Sequence, residues 1–272
     1  IFPGQGSQSV GMGADLADAF GAAREVFQEV DDALGQKLFA LMKDGPEGDL
    51  TLTENAQPAL MAHSLAVIRV LEAEKGFDLA KAASYVAGHS LGEYSALAAA
   101  GALSISDTAK LLRIRGNAMQ AAVPVGQGAM AALLGAEWDL AVEIAKEAAQ
   151  WECCDVANDN GGGQVVLSGA KAAIDRACEI AKAKGVKRAM LLPVSAPFHS
   201  ALMKPAAEAM QAALATATIH APKVPVIANV IAGPVSESEA IRKNLVDQVC
   251  GSVRWRESML WLGQDGVTKF VE

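Results

Sequence analysis

The pentapeptide Gly88-His89-Ser90-Leu91-Gly92 sets a serine between two glycines, just after the apolar stretch Tyr85-Val86-Ala87 and just before a helix-forming run over 93–100. A strand that feeds a helix through so short a turn forces its middle residue into a strained conformation. Glycines on both sides remove the Cβ atoms that would collide there. The serine Oγ is pushed out beside the helix N-terminus, where main-chain N–H groups and the helix dipole favour a developing oxyanion. The chemistry suggested is nucleophilic acyl transfer through Ser90. A plain Gly-rich loop with a capping serine is the alternative, and the flanking strand and helix favour the nucleophile.

Such a serine needs a base, and the chain has four histidines. His89 adjoins Ser90 and should leave the turn in another direction, in support of the site. His63 falls within a helical pattern and His220 in a polar connector, where structural roles are the rule. His199 lies in the Pro-stiffened loop Ser195-Ala196-Pro197-Phe198-His199-Ser200, between a strand and a helix, where loops hold catalytic groups over a rigid scaffold. On position alone it is the best of the four. Arg113 and Arg115 share one helix two positions apart and so face different ways; one could be a solvated surface arginine and the other a buried anchor suited to a carboxylate, although for an arbitrary helical arginine the surface is the rule. Gln5, in the opening turn Pro3-Gly4-Gln5-Gly6-Ser7-Gln8, either caps a loop or offers its main-chain N–H to a reaction centre.

The elements around these residues fall into two groups. Helical periodicity marks residues 14–34 and 57–75, the second with Leu60, Met61, Leu65, Val67, Ile68 and Leu71 on a wide apolar face, and again 107–122. From Gly128 the rhythm changes: strand 129–134, helix 138–150, strands 155–158 and 164–168 joined at Gly161-Gly162-Gly163, helix 171–184 and strand 188–194. That β-α-β-β-α-β order is the split pattern of a ferredoxin-like unit. The chain then returns to a helix over 202–216, a strand over 224–229, further helix, and a last strand over 268–271. The expected fold is α/β, with a large domain made of residues 1–126 and 196–272 and an inserted α+β subdomain of residues 127–195.

Composition limits the function classes. Apolar residues make up 51% of the 272 and charged residues 20%, an ordinary globular balance that argues against disorder. A net charge of −8 disfavours nonspecific nucleic-acid binding, which relies on clustered Lys and Arg. Cys153, Cys154, Cys178 and Cys250 show neither zinc spacing nor a disulfide framework, so a reducing cytoplasm and no metal are expected. No apolar run reaches membrane-span length and no signal peptide is visible.

Together the motifs resemble the malonyl-CoA:acyl carrier protein transacylases of bacterial type II fatty acid synthesis. The resemblance rests on Phe2-Pro3-Gly4-Gln5-Gly6-Ser7-Gln8, Gly88-His89-Ser90-Leu91-Gly92-Glu93-Tyr94, Arg115-Gly116, the Asn158 to Gly169 segment, and Pro197-Phe198-His199-Ser200 followed by Leu202-Met203. It covers nearly the whole chain; the start of the first strand and a Gly-Pro-Gly segment after Glu272 are missing from the pattern, so both ends look trimmed. It implies a hydrolase-like α/β domain carrying a ferredoxin-like insertion. It implies Ser90 as nucleophile, His199 as base, main-chain N–H groups of Gln5 and Leu91 as oxyanion hole, the main-chain carbonyl of Gln248 as the group that orients His199, and Arg115 as the grip on the malonyl carboxylate, with Phe198 and Asn158 beside the substrate. It further implies malonyl-CoA and acyl carrier protein as partners, coenzyme A and phosphopantetheine thioesters as substrates, no cofactor, and a monomer. For an acidic carrier, the cluster Lys182, Lys184, Lys187 and Arg188 is the expected docking patch. A hydrolase would instead place a catalytic carboxylate between serine and histidine in chain order, with Asp155, Asp159 and Asp175 as candidates, all inside the apparent insertion. A non-catalytic carrier-binding module is a third reading, which the intact Ser90, His199 and Arg115 disfavour.

Overall fold

In the computed structural model, which describes residues 1–272, seven strands form two sheets. Strand β1 (Val86–Ala87) belongs to the first. Strands β2 (Gly128–Leu134), β3 (Cys154–Gly161), β4 (Gln164–Ala170) and β5 (Arg188–Leu191) make the second, and β6 (Val226–Ala228) and β7 (Gly233–Val235) complete the first. The order is β1-β6-β7 in one sheet, with β1 parallel to β6, and β3-β4-β2-β5 in the other, antiparallel throughout. The opening residues join the first sheet: Phe2 bridges Gly88 in parallel, its N–H donating to the Ala87 carbonyl at 2.9 Å.

Over β2 and β4 the second sheet is apolar on both faces because both are covered, while β5 at its edge is largely exposed. Side chains alternate along a strand, and the alternation here sorts two cores. Ala131, Leu133, Val165 and Leu167 pack with the Trp138–Ala149 and Lys171–Ala183 helices, whereas Met130, Ala132 and Val166 face the main core. The heavy use of alanine has its reason in those helices. Ala141, Ala145 and Ala148 on one, and Ala173, Ala177 and Ala181 on the other, lie at helical spacing and are buried, so the helix backbones sit close on the sheet. The main core is built on the Gly21–Leu34, Thr53–Lys75 and Ile105–Ala121 helices. Gly116 lets the last two meet, since a Cβ there would lie 2.5 Å from the Glu54 Cα.

Four elements differ from the sequence reading. The helix expected over 14–34 is two, Ala14–Ala19 and Gly21–Leu34, parted by Phe20 in an extended conformation (φ −129°, ψ 127°) whose ring turns onto the core. Strand β5 ends at Leu191 rather than 194, two residues before Pro193, which has no N–H to give. Strand β7 falls where only further helix is expected; it is an edge strand, where the missing donor of Pro234 is tolerated. Residues 268–271 form no strand: Val271 accepts one bond from the Ile1 amine at 2.6 Å and no ladder follows.

The close approach of β4 to the chain entering β3 is testable. A Cβ on Gly169 would lie 2.1 Å from the Cys153 carbonyl oxygen, and overpacking of that kind costs about 1–3 kcal/mol. Gly169→Ala should lower the urea midpoint accordingly, while Gly48→Ala, on a helix with nothing within 4 Å, should leave it unchanged or slightly raised.

Candidate active site

Strand β1 runs through Gly88 and His89 into Ser90, which adopts φ 55° and ψ −111° before the Leu91–Ala99 helix begins. That helix is buried at all nine positions, as are both residues of β1, so the turn is held between two buried elements. Both motif glycines are sterically required: a Cβ on Gly88 would meet the Gly92 carbonyl oxygen at 1.9 Å, and one on Gly92 would meet the Phe2 carbonyl oxygen at 2.5 Å. The opening segment thus lies against the turn, and His89 N–H donates to the Phe2 carbonyl at 3.1 Å. Main-chain N–H groups of Gln5 and Leu91 have no acceptor in the protein, as two donors reserved for an oxyanion require.

His199 meets the serine across 109 residues of chain. Its Nε2 is 2.7 Å from Ser90 Oγ. Its Nδ1 faces two main-chain carbonyls, Gln248 at 2.9 Å and Gly251 at 3.1 Å. Carbonyls cannot donate, so Nδ1 carries the hydrogen and Nε2 presents a lone pair to the serine hydroxyl, the tautomer a base needs. Burial, and next the neighbouring Arg115 cation, push His199 down to about 3, which keeps it neutral. The loop that delivers it is tight: His199 itself has φ 55°, and Ser200 Oγ donates to the Pro197 carbonyl at 2.7 Å.

Arg115 reaches the same point from the Ile105–Ala121 helix. It is 1% exposed. Nη1 donates to Gln57 Oε1 at 2.8 Å, and Nη2 to Gln248 Oε1 at 2.9 Å and to Ser90 Oγ at 3.1 Å. All three acceptors are neutral, and Nε has no partner. A buried cation served only by neutral oxygens, one of them the Ser90 hydroxyl, is suited to receive an anionic group. Arg113 does face elsewhere, but half-buried rather than solvated, bonded to Asn55 Oδ1 at 3.0 Å and to Gln36.

His89 points away from Oγ, bonded to Asn160 Oδ1 at 2.9 Å and packed on Trp255. Phe198 is buried next to His199. Asn158 is buried in β3, bridged to Val253, and makes no hydrogen bond to Ser90, His199 or Arg115; Asn160, two residues on, is the one that reaches the turn. The carboxylates a hydrolase would need are occupied elsewhere. Asp155 accepts from Ala201 N–H, Asp159 pairs with Arg256, and Asp175 pairs with Lys171. The basic cluster is smaller than expected, because Lys184 is paired with Glu143 and Glu147, leaving Lys182, Lys187 and Arg188 exposed.

Three residues at the centre went unassigned in the sequence. Asn229, at the end of β6, accepts from Ser90 N–H at 2.8 Å and donates to the Gly88 carbonyl at 2.8 Å, bracing the turn on both sides. Glu93 is 2% exposed and raised to about 7, chiefly by burial. Gln57 holds Arg115 from the neighbouring helix. Glu93 alone carried a signal, an acidic residue in an otherwise apolar stretch directly after the motif; the other two sit among ordinary helix and strand residues.

The acyl transferase domain family matches residues 1–272. The chain is 44% identical to the malonyl CoA-acyl carrier protein transacylase of Escherichia coli, over all of this chain and 87% of that protein. Its mixed α/β fold is similar to the crystal structure of acyl-carrier-protein S-malonyltransferase from Bartonella henselae, with a TM-score of 0.96 and 59% identity over 98% of this chain and 84% of that one. It is also similar to a malonyl-transacylase in complex with a type II PKS acyl-carrier protein, with a TM-score of 0.94 and 44% identity over 98% and 85% of the two chains. With a match along its whole length and relatives of this identity, the chain belongs to the acyl transferase domain family, alongside the malonyl CoA-acyl carrier protein transacylases.

Proposed function

We propose that the protein moves a malonyl group from coenzyme A to the phosphopantetheine thiol of an acyl carrier protein, through a malonyl ester on Ser90. Arg115 carries this reading: a buried guanidinium, hydrogen-bonded only to neutral oxygens, stands 3.1 Å from the Oγ that His199 Nε2 meets at 2.7 Å. Ser90 Oγ attacks the thioester carbonyl carbon while its proton passes to His199 Nε2. The oxyanion is received by the N–H groups of Gln5 and Leu91. The C–S bond then breaks, the leaving thiolate takes the proton from His199, and the malonyl ester remains. The carrier thiol repeats the sequence: its proton goes to His199, its sulfur attacks the ester carbonyl, the C–Oγ bond breaks, and His199 returns the proton to Ser90. Every proton and bond is accounted for without a metal or cofactor. Throughout, Arg115 holds the free carboxylate, Nη2 exchanging the serine hydroxyl for it, with Phe198 and Asn158 lining the acyl group.

The architecture behind this reading is a hydrolase-like α/β body, residues 1–126 and 196–272, with a ferredoxin-like insertion of residues 127–195. The β3-β4-β2-β5 order and the separate apolar core of the insertion support it. Lys182, Lys187 and Arg188 form the surface assigned to an acidic carrier. No helix is long and apolar enough to cross a membrane; four unpaired cysteines support a cytoplasmic setting, and a monomer suffices because one chain supplies the whole site.

Incubation with malonyl-CoA followed by intact mass measurement tests the assignment: Ser90 should carry a stable malonyl group that Ser90→Ala lacks, and turnover without carrier would mark a hydrolase. Selectivity tests Arg115. Acetyl-CoA leaves its buried charge unpaired, at a cost of about 3–5 kcal/mol, or a preference for malonyl of about 10²–10⁴-fold. Arg115→Ala should collapse malonyl transfer while acetyl transfer holds or rises, and Arg113→Ala should keep the wild-type ratio; equal loss of both substrates would make Arg115 structural.

The depressed His199 sets the pH profile. A group neutral down to about 3 keeps single-turnover acylation level from pH 8 to about pH 5, where an unperturbed imidazole would lose half its base form near 6.5. Stability behaves differently. The unfolded chain takes up this proton near 6.5 and the folded one does not, so folding weakens as pH falls below about 6.5, until the folded-state value is passed. An acylation rate that halves near pH 6.5 would show His199 to be solvated in solution.

A further inference from the structure

The buried carboxyl of Glu93 lies outside the transfer steps, yet its bonds reach both halves of the site. Glu93 Oε2 accepts from Gln248 Nε2 at 2.8 Å and from the main-chain N–H of Asn229 at 2.9 Å. Gln248 Nε2 also donates to the Ser90 carbonyl at 3.0 Å, which leaves Gln248 Oε1 turned to Arg115 Nη2 at 2.9 Å. A primary amide has one donating end and one accepting end. With two acceptors, Glu93 Oε2 and the Ser90 carbonyl, at one end, the amide has a single satisfied orientation. Turned over, it would set N–H groups against the guanidinium and oxygen against the carboxyl. The second bond of Oε2 fixes the main chain of Asn229, whose side chain braces Ser90 and Gly88.

We propose that Glu93 is a positioning residue for substrate selectivity: through the polarity it imposes on the Gln248 side-chain amide, it aims Arg115 at the substrate carboxylate. This inference rests on the malonyl reading of the site. Its requirement is an acceptor oxygen at the Oε2 position. Since both donors converge on Oε2, a proton on this carboxyl resides on Oε1 and leaves the arrangement intact. A glutamine can supply the same acceptor through its carbonyl oxygen, whereas an alanine frees the Gln248 amide to turn over and orphans the Asn229 N–H.

The test is the ratio of malonyl to acetyl acylation of Ser90 in single turnover, measured on the full chain with the two coenzyme A thioesters. Glu93→Ala should lower that ratio about tenfold, the scale of one charged hydrogen bond, and Glu93→Gln should restore it to within about threefold of wild type. Gln248→Met keeps the main-chain carbonyl that orients His199 and removes only the amide, so it should lower the ratio as Glu93→Ala does. The double variant should be no worse than either single one, because both act through one contact. Equal loss of both thioesters in Glu93→Ala, with the ratio kept, overturns the proposal, and so does a wild-type ratio in Gln248→Met, which decides the matter alone should Glu93→Ala fail to fold. A wild-type enzyme with no preference for malonyl would instead sink the malonyl reading itself, which separates the two failures.

Discussion

A full positive charge inside the protein sets the terms for everything around Ser90. Taking a guanidinium out of water costs several kcal/mol unless polar groups replace its hydration, and Arg115 is 1% exposed. Its replacement shell comes from three separate stretches of chain: Gln57, the serine hydroxyl, and the Gln248 amide. Each of these must be delivered to a few tenths of an ångström. The Gln57 helix must come close enough to the arginine helix that Gly116 admits no side chain, and the Gln248 amide is aimed by Glu93. The remaining tension lies in the opposite pulls of burial, which draws the Arg115 pKa down and pushes that of Glu93 up. An anionic group beside Arg115 would answer it directly.

The orientation of the base follows the same economy of charge. A serine–histidine pair commonly leans on a carboxylate that stabilises the imidazolium. Here two peptide carbonyls take that place. They choose the tautomer as firmly as a carboxylate would, because a carbonyl can only accept. They add no negative charge, which leaves Arg115 without a competing anion near His199, while burial and the arginine cation keep the histidine neutral. The buried carboxyl that is present, Glu93, acts one amide away from the arginine and does not touch the imidazole.

The inserted β-α-β-β-α-β unit has its own small core, yet its sheet turns a second apolar face to the main body. That shared sheet is what brings Asn160 to His89 and carries the chain from β5 into the His199 loop. Gly128, at the start of β2, lies against Pro197 so closely that a Cβ would stand 2.4 Å from its ring. The seam between the two units is therefore the floor on which the base is mounted.

How much of this was legible in the residues depends on the distance over which each interaction acts. The serine turn declared itself because its constraints are local: a strand, two glycines whose missing Cβ atoms matter within five residues, and a helix. The order of the insertion was readable for the same reason, since alternation in β2 and β4 and the alanine spacing of its helices are short-range patterns. Edges were not, because whether Pro234 may sit in a strand or residues 268–271 may form one depends on which neighbour has a free ladder. The partners of the chemistry lay further off still. By itself the sequence determined the serine turn and the β-α-β-β-α-β order that begins at Gly128, and through resemblance named His199, Arg115 and the Gln248 carbonyl as the partners of Ser90. Only the tertiary structure decided that Asn229 braces the turn, that Glu93 and Gln57 hold the arginine machinery, and that Asn160 meets the turn through His89. Hydrogen bonds and desolvation act through space, at this site between residues up to 158 positions apart, and leave no period in the chain to read.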